Sequence, residues 1–249
     1  MDSALRITLI ANAGLLMTYR GTTLMVDGIY GREGHPFSNL SPEVWREMLE
    51  SEDRFRKVDY LLFTHAHPDH FSPEMTGEFL HHRSVKGMFL PEPHMAAEDR
   101  LIKMLRAKKT PCVLLSDATE HAAYRIEPEI TVRAFRTLHL DRKYRNVPHF
   151  CYILTFGDQN ILLTADMDYT TETLASIQNV PIRATFVALS HRKFFKGTLP
   201  GQSIFVYHVP FPEDDSMRML PTLRRSLEAW LSDGRPVTAL TEPFQEIEL

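Results

Sequence analysis

Cysteine is scarce in this sequence. Only two of the 249 residues are cysteines, Cys112 and Cys151, and each lies inside an apolar, strand-like run. Such low usage argues against a small disulfide-stapled protein and against a zinc site built from thiolates. We expect both side chains to be small core residues rather than a disulfide or a metal-binding pair.

Long apolar runs and an excess of one charge are also missing. No run approaches the roughly 20 apolar residues of a membrane-spanning helix, and residues 1–4 lack the basic start of a secretory signal. Lys and Arg number 28 against 32 Asp and Glu, without a basic tail or an acidic block. This balance argues against a dedicated membrane or nucleic-acid surface. We expect a cytoplasmic protein with no membrane partner.

No internal repeat and no low-complexity segment interrupts the chain, and its length suits one sizeable domain spanning residues 1–249. Short β-rich runs near the start predict an antiparallel meander. Ser41-Pro42 and Ser72-Pro73 are typical helix starts, and residues 93–109 and 171–178 are also predicted to be helical. A final helix is expected to reach residue 231, broken or restarted at Pro221, before a last strand at 236–240.

Histidine, in contrast, is abundant, with twelve residues. Four potential metal ligands, His65, His67, Asp69 and His70, lie within six positions directly after the apolar run 58–64. Imidazole nitrogens and carboxylate oxygens bind zinc and similar divalent ions, and a loop beyond a strand end can turn several of them inward. We call residues 65–70 the metal loop.

Four more acidic or histidine side chains each follow an apolar, strand-like run. One such residue would mean little, but several together indicate ligands that meet at one sheet edge. They are His139, Asp166, His191 and His208.

The sequence Thr64-His65-Ala66-His67-Pro68-Asp69-His70 resembles the HxHxDH signature of the metallo-β-lactamase fold superfamily. The resemblance extends from the first strands through His208, although only the metal loop is specific on its own. It implies an α/β fold, a four-layer αββα sandwich of two mixed β-sheets with a one- or two-metal site at one edge.

The resemblance also implies roles for the ligands. His65, His67 and His139 would hold the first ion, Asp69, His70 and His208 the second, and Asp166 would bridge them. The cofactors would be two divalent ions, zinc by default, with manganese and iron compatible with the same donors. Zinc lowers the pKa of its water to about 7, so a bridging hydroxide would be the nucleophile, and the Asp69 carboxylate would orient it.

Several of these assignments have competitors. His139 competes with His149 and His121 for the third position, and Asp168 lies close to Asp166. His208 is weighed against a purely structural histidine. His191 is either a catalytic proton donor to the leaving group or a structural histidine, since Arg192 follows it where the RNase Z branch has a glutamate.

Residues outside the ligand set have expected supporting roles. Asp27 ends an early strand, where the superfamily places an acid that supports the metal loop, and a plain turn residue is the alternative. The irregular segment 28–40 is expected to shape a substrate pocket near the metal edge.

The early Asn12-Ala13-Gly14 turn and the context of His139 resemble the branch that contains ascorbate-phosphate lactonase, phospholipases D and tRNA-processing nucleases. No long basic arm that could clamp RNA is present, which argues against a nucleic-acid partner. We therefore expect a metallo-hydrolase of a small, anionic substrate, a phosphodiester or a lactone. The rivals are an iron-bound redox member, a nuclease and a non-catalytic scaffold. A homo-oligomer is compatible with the sequence.

Overall fold

A computed structural model describes residues 4–31, 33–51, 53–116, 122–168, 177, 179–189, 199–231, 234 and 236–249. The chain divides into two compact units. Unit 1 comprises Met1–Leu115 and Glu242–Leu249, and unit 2 comprises Ser116–Thr241.

The strands and helices of the described residues are, in chain order, β1 (Arg6–Leu9), β2 (Leu15–Tyr19), β3 (Thr22–Val26), α1 (Pro42–Glu50), β4 (Tyr60–Leu62), α2 (Pro73–His82), β5 (Gly87–Pro91), α3 (Ala96–Lys108), β6 (Cys112–Leu115), β7 (Ala123–Glu127), β8 (Ile130–Thr137), β9 (His149–Phe156), β10 (Gln159–Leu163), β11 (Ala184–Ala188), β12 (Ser203–Tyr207), α4 (Met219–Leu231), β13 (Val237–Ala239) and β14 (Glu246–Glu248).

Unit 1 contains a mixed seven-stranded sheet in the order β14-β1-β2-β3-β4-β5-β6. The strands from β14 to β3 pair antiparallel, and those from β3 to β6 pair parallel. The crossovers between the parallel strands carry α1, α2 and α3, as parallel pairing requires. Since β3 and β4 are neighbours with Val26 opposite Leu62, the residues that follow these two strands are brought side by side.

The helix starts of unit 1 follow the predicted cap chemistry. Ser41 Oγ accepts a hydrogen bond from Val44 N at 3.2 Å, and Ser72 Oγ accepts one from Met75 N at 3.2 Å. A proline occupies the first turn of both helices, where an N–H has no helical partner to lose. As a result, α2 begins immediately behind the metal loop.

Unit 2 contains the second seven-stranded sheet, ordered β13-β12-β11-β10-β9-β8-β7. The strands from β7 to β10 pair antiparallel, whereas those from β10 to β13 pair parallel. Buried aliphatic residues of β9 to β12 form a hydrophobic cluster on which Leu223 of α4 also packs. Because β10, β11 and β12 are parallel neighbours, the carboxyl ends of β10 and β12 lie at the same edge of this sheet.

Two predicted details differ from the structure. Helix α4 runs through Pro221 without a break, because this proline lies in the first turn and the Asp215 carboxylate caps Met219 N and Leu220 N at 2.6 and 2.9 Å. Strand β14 was not predicted, and it pairs with β1 at the sheet edge. The helix predicted at 171–178 lies outside the described residues, except for Ile177.

No helix among the described residues combines the length and the apolar character needed to cross a membrane.

The two cysteines form no disulfide, and burial raises the pKa of the Cys112 thiol to about 11 against a weaker opposing effect of Arg106. We expect iodoacetamide to alkylate Cys112 at pH 8 roughly 100-fold more slowly in the native chain than after unfolding, since the thiolate is the reactive form. Mass spectrometry of quenched time points measures this ratio. Equal rates before and after unfolding would contradict it.

Candidate metal centre

The metal loop is a tight turn at the end of β4. The His67 carbonyl accepts hydrogen bonds from His70 N at 3.0 Å and Phe71 N at 2.9 Å, and Gly31 N donates to the Pro68 carbonyl at 2.7 Å. These bonds hold the backbone in a curl. The alternating His and Asp side chains are thereby kept close together.

Asp27 supports this loop from the end of the neighbouring strand β3. Its Oδ1 accepts the Thr64 N–H at 2.8 Å, and its Oδ2 accepts the Thr64 hydroxyl at 2.6 Å. His70 Nδ1 lies 2.9 Å from the same Oδ2. Asp27 is 1% exposed. The expectation that this acid supports the metal loop therefore agrees with the contacts.

These contacts also determine which ring nitrogens carry protons. Since the Thr64 hydroxyl donates to Asp27, its oxygen accepts from His65 Nδ1, which lies 3.0 Å away. His70 Nδ1 donates directly to Asp27. In both rings Nε2 is then the unprotonated nitrogen, the form that ligates a cation, and a carboxylate behind the ring strengthens it as a ligand.

The spacing of the donor atoms in unit 1 fits a small divalent cation. His65 Nε2 and His67 Nδ1 are 3.1 Å apart, and Asp69 Oδ2 and His70 Nε2 are 3.6 Å apart. Four ligands at zinc's usual bond lengths are separated from one another by about 3.3 Å. Unit 1 thus presents two donor pairs at metal-ligand spacing.

Unit 2 contains its own group of donor atoms around Asp166. Its Oδ2 lies 3.3 Å from His139 Nε2, and its Oδ1 lies 3.6 Å from His208 Nε2. Each carboxylate oxygen thus faces a different histidine. A carboxylate that bridges two metal ions uses one oxygen for each ion, so its two oxygens must face different ligands.

The backbone that places these residues is unusual. Ala165 and His208 have φ angles of +44° and +57°, in a region that non-glycine residues rarely adopt. The Ala165 N–H donates to the Tyr207 hydroxyl at 3.2 Å. Strained backbone of this kind is concentrated at functional sites.

His139 differs from His65 and His70 in its hydrogen bonding. Asp141 N donates to His139 Nδ1 at 3.0 Å, so the proton of the neutral ring is on Nε2, which points at Asp166. A cation at His139 Nε2 would have to displace this proton. His139 thus differs from His65 and His70 in tautomer, with its proton on the nitrogen that faces Asp166.

The competing residues have other partners. Asp168 Oδ2 pairs with Arg145 Nη2 at 2.8 Å, which favours Asp166 as the metal-facing acid. His149 is buried, and its Nδ1 lies 2.5 Å from Thr137 Oγ1. His121 and His191 lie outside the described residues.

Two residues of the segment 28–40, Gly31 and Glu33, line a groove of about 800 Å³ in unit 1, together with residues of α1 and of the start of α2. Gly31 belongs both to this groove and to the hydrogen bonds of the metal loop. The groove therefore borders the loop, in agreement with the expected position of this segment. Its lining residues are Gly31, Glu33, Trp45, Ser72, Glu74, Met75 and Glu78.

Two residues near the ligands were not assigned a role from the sequence. Tyr207 reads as an apolar strand residue, and no sequence signal reveals that its hydroxyl contacts the Asp166 turn. Asn12 reads as a turn residue, yet its side chain donates to the Asp69 carbonyl at 2.8 Å. The sequence marked Asn12-Ala13-Gly14 as a turn that resembles one branch of the superfamily, but it gave the Asn12 side chain no role.

No protein-family model matches this sequence, and no curated protein matches it either. Solved structures match its fold. Igni18, a metallo hydrolase from the archaeon Ignicoccus hospitalis, is 13% identical with a TM-score of 0.68, and the match covers 99% of this chain and 98% of Igni18. YhfI from Bacillus subtilis, a metallo-β-lactamase fold protein, is 14% identical with a TM-score of 0.68, covering 99% of this chain and all of YhfI.

A third match extends the range of chemistry found on this fold. CmlA from Streptomyces venezuelae, a diiron β-hydroxylase, is 16% identical with a TM-score of 0.64. The match covers all of this chain but 54% of CmlA, so the chain spans about half of that protein's length. At such low identity these likenesses establish architecture rather than activity. The chain has the metallo-β-lactamase fold that its sequence predicted.

Proposed function

We propose that the chain is a metal-dependent hydrolase in which the ligands of both units act together as one catalytic domain. The first ion would be held by His65, His67 and His139, the second by Asp69, His70 and His208, and Asp166 would bridge them. The observation that carries this proposal is the division of the two Asp166 oxygens between two histidines. The two donor pairs of unit 1 supply a matching number of ligands.

When bound, two divalent ions would supply Lewis acidity and a water of lowered pKa. The chain's own residues would do the rest. Asp69 would orient the attacking water and accept its proton, since its carboxylate is the donor of the metal loop that is not an imidazole. Asp27 and Thr64 would keep His65 and His70 in the ligating tautomer. His191 remains a predicted proton donor to the leaving group.

The proposed substrate is a small anionic molecule, a phosphodiester or a lactone. Support comes from the sequence resemblance and from the absence of a basic arm. The groove beside the metal loop carries three glutamates, so the negative group of the substrate is proposed to lie at the ions rather than in this groove. A metallo hydrolase among the structural matches supports hydrolysis as the reaction class.

An iron-bound redox protein is the second candidate, favoured by the fold match to a diiron β-hydroxylase. The same ligand types suit iron as well as zinc. Iron as the dominant metal, together with oxygen consumption in the presence of a reductant, would select this candidate. Zinc or manganese with hydrolytic turnover would select the first.

Metal content tests the ligand set directly. Elemental analysis of protein purified without chelator is expected to give about two equivalents in the wild type, and roughly one or fewer after Asp166→Ala or His208→Ala, because each change removes a ligand from the shared or second site. Asp168→Ala is the matched control and should keep the wild-type content, since Asp168 pairs with Arg145. One equivalent of metal in the wild type and in both variants would contradict the proposed second metal site. Failure of the protein to retain any metal would contradict the proposed hydrolase function.

A further inference from the structure

Asn12 occupies a demanding position in the turn between β1 and β2. The turn is closed by Ile10 N donating to the Gly14 carbonyl at 2.8 Å and by Gly14 N donating to the Ala11 carbonyl at 2.7 Å. Asn12 has a φ of +49° and no exposed surface. Asn tolerates left-handed backbone better than most residues do. Burial of its polar amide, however, has to be explained by what the amide contacts.

The Asn12 amide contacts the metal loop at a residue 57 positions later in the sequence. Its Nδ2 donates to the Asp69 carbonyl at 2.8 Å, whereas its buried Oδ1 has no hydrogen-bond partner among the described residues. An unpaired buried acceptor and a left-handed non-glycine residue both oppose folding. One hydrogen bond does not outweigh these costs, so overall stability is a poor explanation for an Asn here.

The contact has a specific consequence for the second donor pair. Asp27 fixes the ring of His70. The Asn12 amide donates to the Asp69 carbonyl and so holds the peptide group that joins Asp69 to His70. The direction of the Asp69 side chain follows from the orientation of this backbone. The two donors at 3.6 Å are thus held through separate supports.

We propose that Asn12 is a positioning residue that acts through Asp69: its amide fixes the Asp69 backbone and so aims the carboxylate at the second metal ion. This inference rests on the proposed function for the identity of that ion. The hydrogen bond itself lies within unit 1.

The test uses Asn12→Gly in the full chain, because glycine adopts a φ of +49° freely and the variant therefore loses the side-chain amide without added backbone strain. Zn²⁺ is titrated into metal-stripped protein against a chromophoric chelator. We expect affinity for the second ion to fall roughly 10- to 100-fold, while affinity for the first changes by less than about threefold. Hydrogen exchange of the His70 and Phe71 amides, which donate to His67, should become faster in the metal-stripped variant.

Thr18→Ala is the matched control, since it removes the Thr18–Thr23 hydroxyl contact between β2 and β3 and should leave both zinc affinities unchanged. Equal loss of both affinities in Asn12→Gly, or an unchanged second affinity, would overturn the inference. A wild-type chain that binds fewer than two ions would instead contradict the proposed function. Amide exchange in the metal loop then decides the role of Asn12: faster exchange supports positioning, and unchanged exchange refutes it.

Discussion

Replacing Asp27 with alanine is expected to lower the melting temperature by roughly 10 °C and to weaken metal binding at the same time. The carboxylate accepts two hydrogen bonds from Thr64 and one from His70, all buried. Removing the carboxylate leaves those buried donors without an acceptor, which lowers the free energy of unfolding by about 3–5 kcal/mol. In a chain of this length, each kcal/mol lost lowers the melting temperature by about 2–4 °C. Alanine at a φ of +48° adds strain.

The metal-binding part of this prediction distinguishes a supporting role from a purely structural one. Loss of a carboxylate behind a ligating histidine reduces metal affinity by roughly 10- to 100-fold. Asp59→Ala is a suitable comparison, because Asp59 is also buried and accepts Thr23 N at 2.9 Å, at the start of β4 rather than at its end. We expect Asp59→Ala to lower the melting temperature but to keep zinc affinity.

Differential scanning calorimetry and zinc titration measure the two effects on the same preparations. A parallel fall of stability and affinity in both variants would mean that Asp27 acts only as a fold residue. Asp27→Asn separates the hydrogen bond from Thr64 N from the bonds that involve the Thr64 hydroxyl and His70. Its amide oxygen can still accept Thr64 N, but its nitrogen cannot accept the Thr64 hydroxyl or His70 Nδ1.

The parts of the site that could be predicted are those with a local chemical signal. The metal loop could be recognised because donors lie two positions apart directly after a buried strand. Asp166 and His208 could be found because each is a polar residue that ends an apolar run, and Ser41 and Ser72 because a Ser-Pro pair is a helix start. The sheets were predictable as β-rich segments, but the order of their strands depends on pairings distant in sequence, such as β14 with β1.

The remaining features depend on backbone and tertiary contact. Four buried non-glycine residues near the ligands have positive φ angles, and the usual sequence signal for such a conformation, a glycine, is absent from all four. Nothing in the apolar strand β12 indicates that Tyr207 uses its hydroxyl to hold Ala165. The tautomer of His139 likewise depends on the Asp141 N–H. These four residues are Asn12, Asp27, Ala165 and His208.

The largest expected effect on turnover belongs to Asp69→Asn. Asp69 is 6% exposed, and its Oδ2 lies 3.6 Å from His70 Nε2. Asparagine keeps the shape, and its oxygen can still ligate, but it cannot take a proton from the attacking water. We expect kcat on an activated phosphodiester, bis(4-nitrophenyl) phosphate, to fall roughly 10²- to 10⁴-fold, the usual contribution of a general base. Turnover is measured at saturating zinc, where metal content should stay near that of the wild type although the affinity for the second ion falls.

Glu98→Gln provides the comparison for this change, because Glu98 is another buried carboxylate of unit 1, at 5% exposure, and its Oε2 accepts His94 N and Met95 N at the start of α3. Neutralising it should leave kcat within about threefold, since a residue away from the reacting atoms removes no transition-state interaction. If Asp69→Asn keeps both its metal and its turnover, the proton is taken elsewhere and Asp69 serves only as a ligand. If it loses metal and turnover together even at saturating zinc, the Asp69 carboxylate charge is required to hold the second ion, and the fall in kcat does not show that Asp69 is the base.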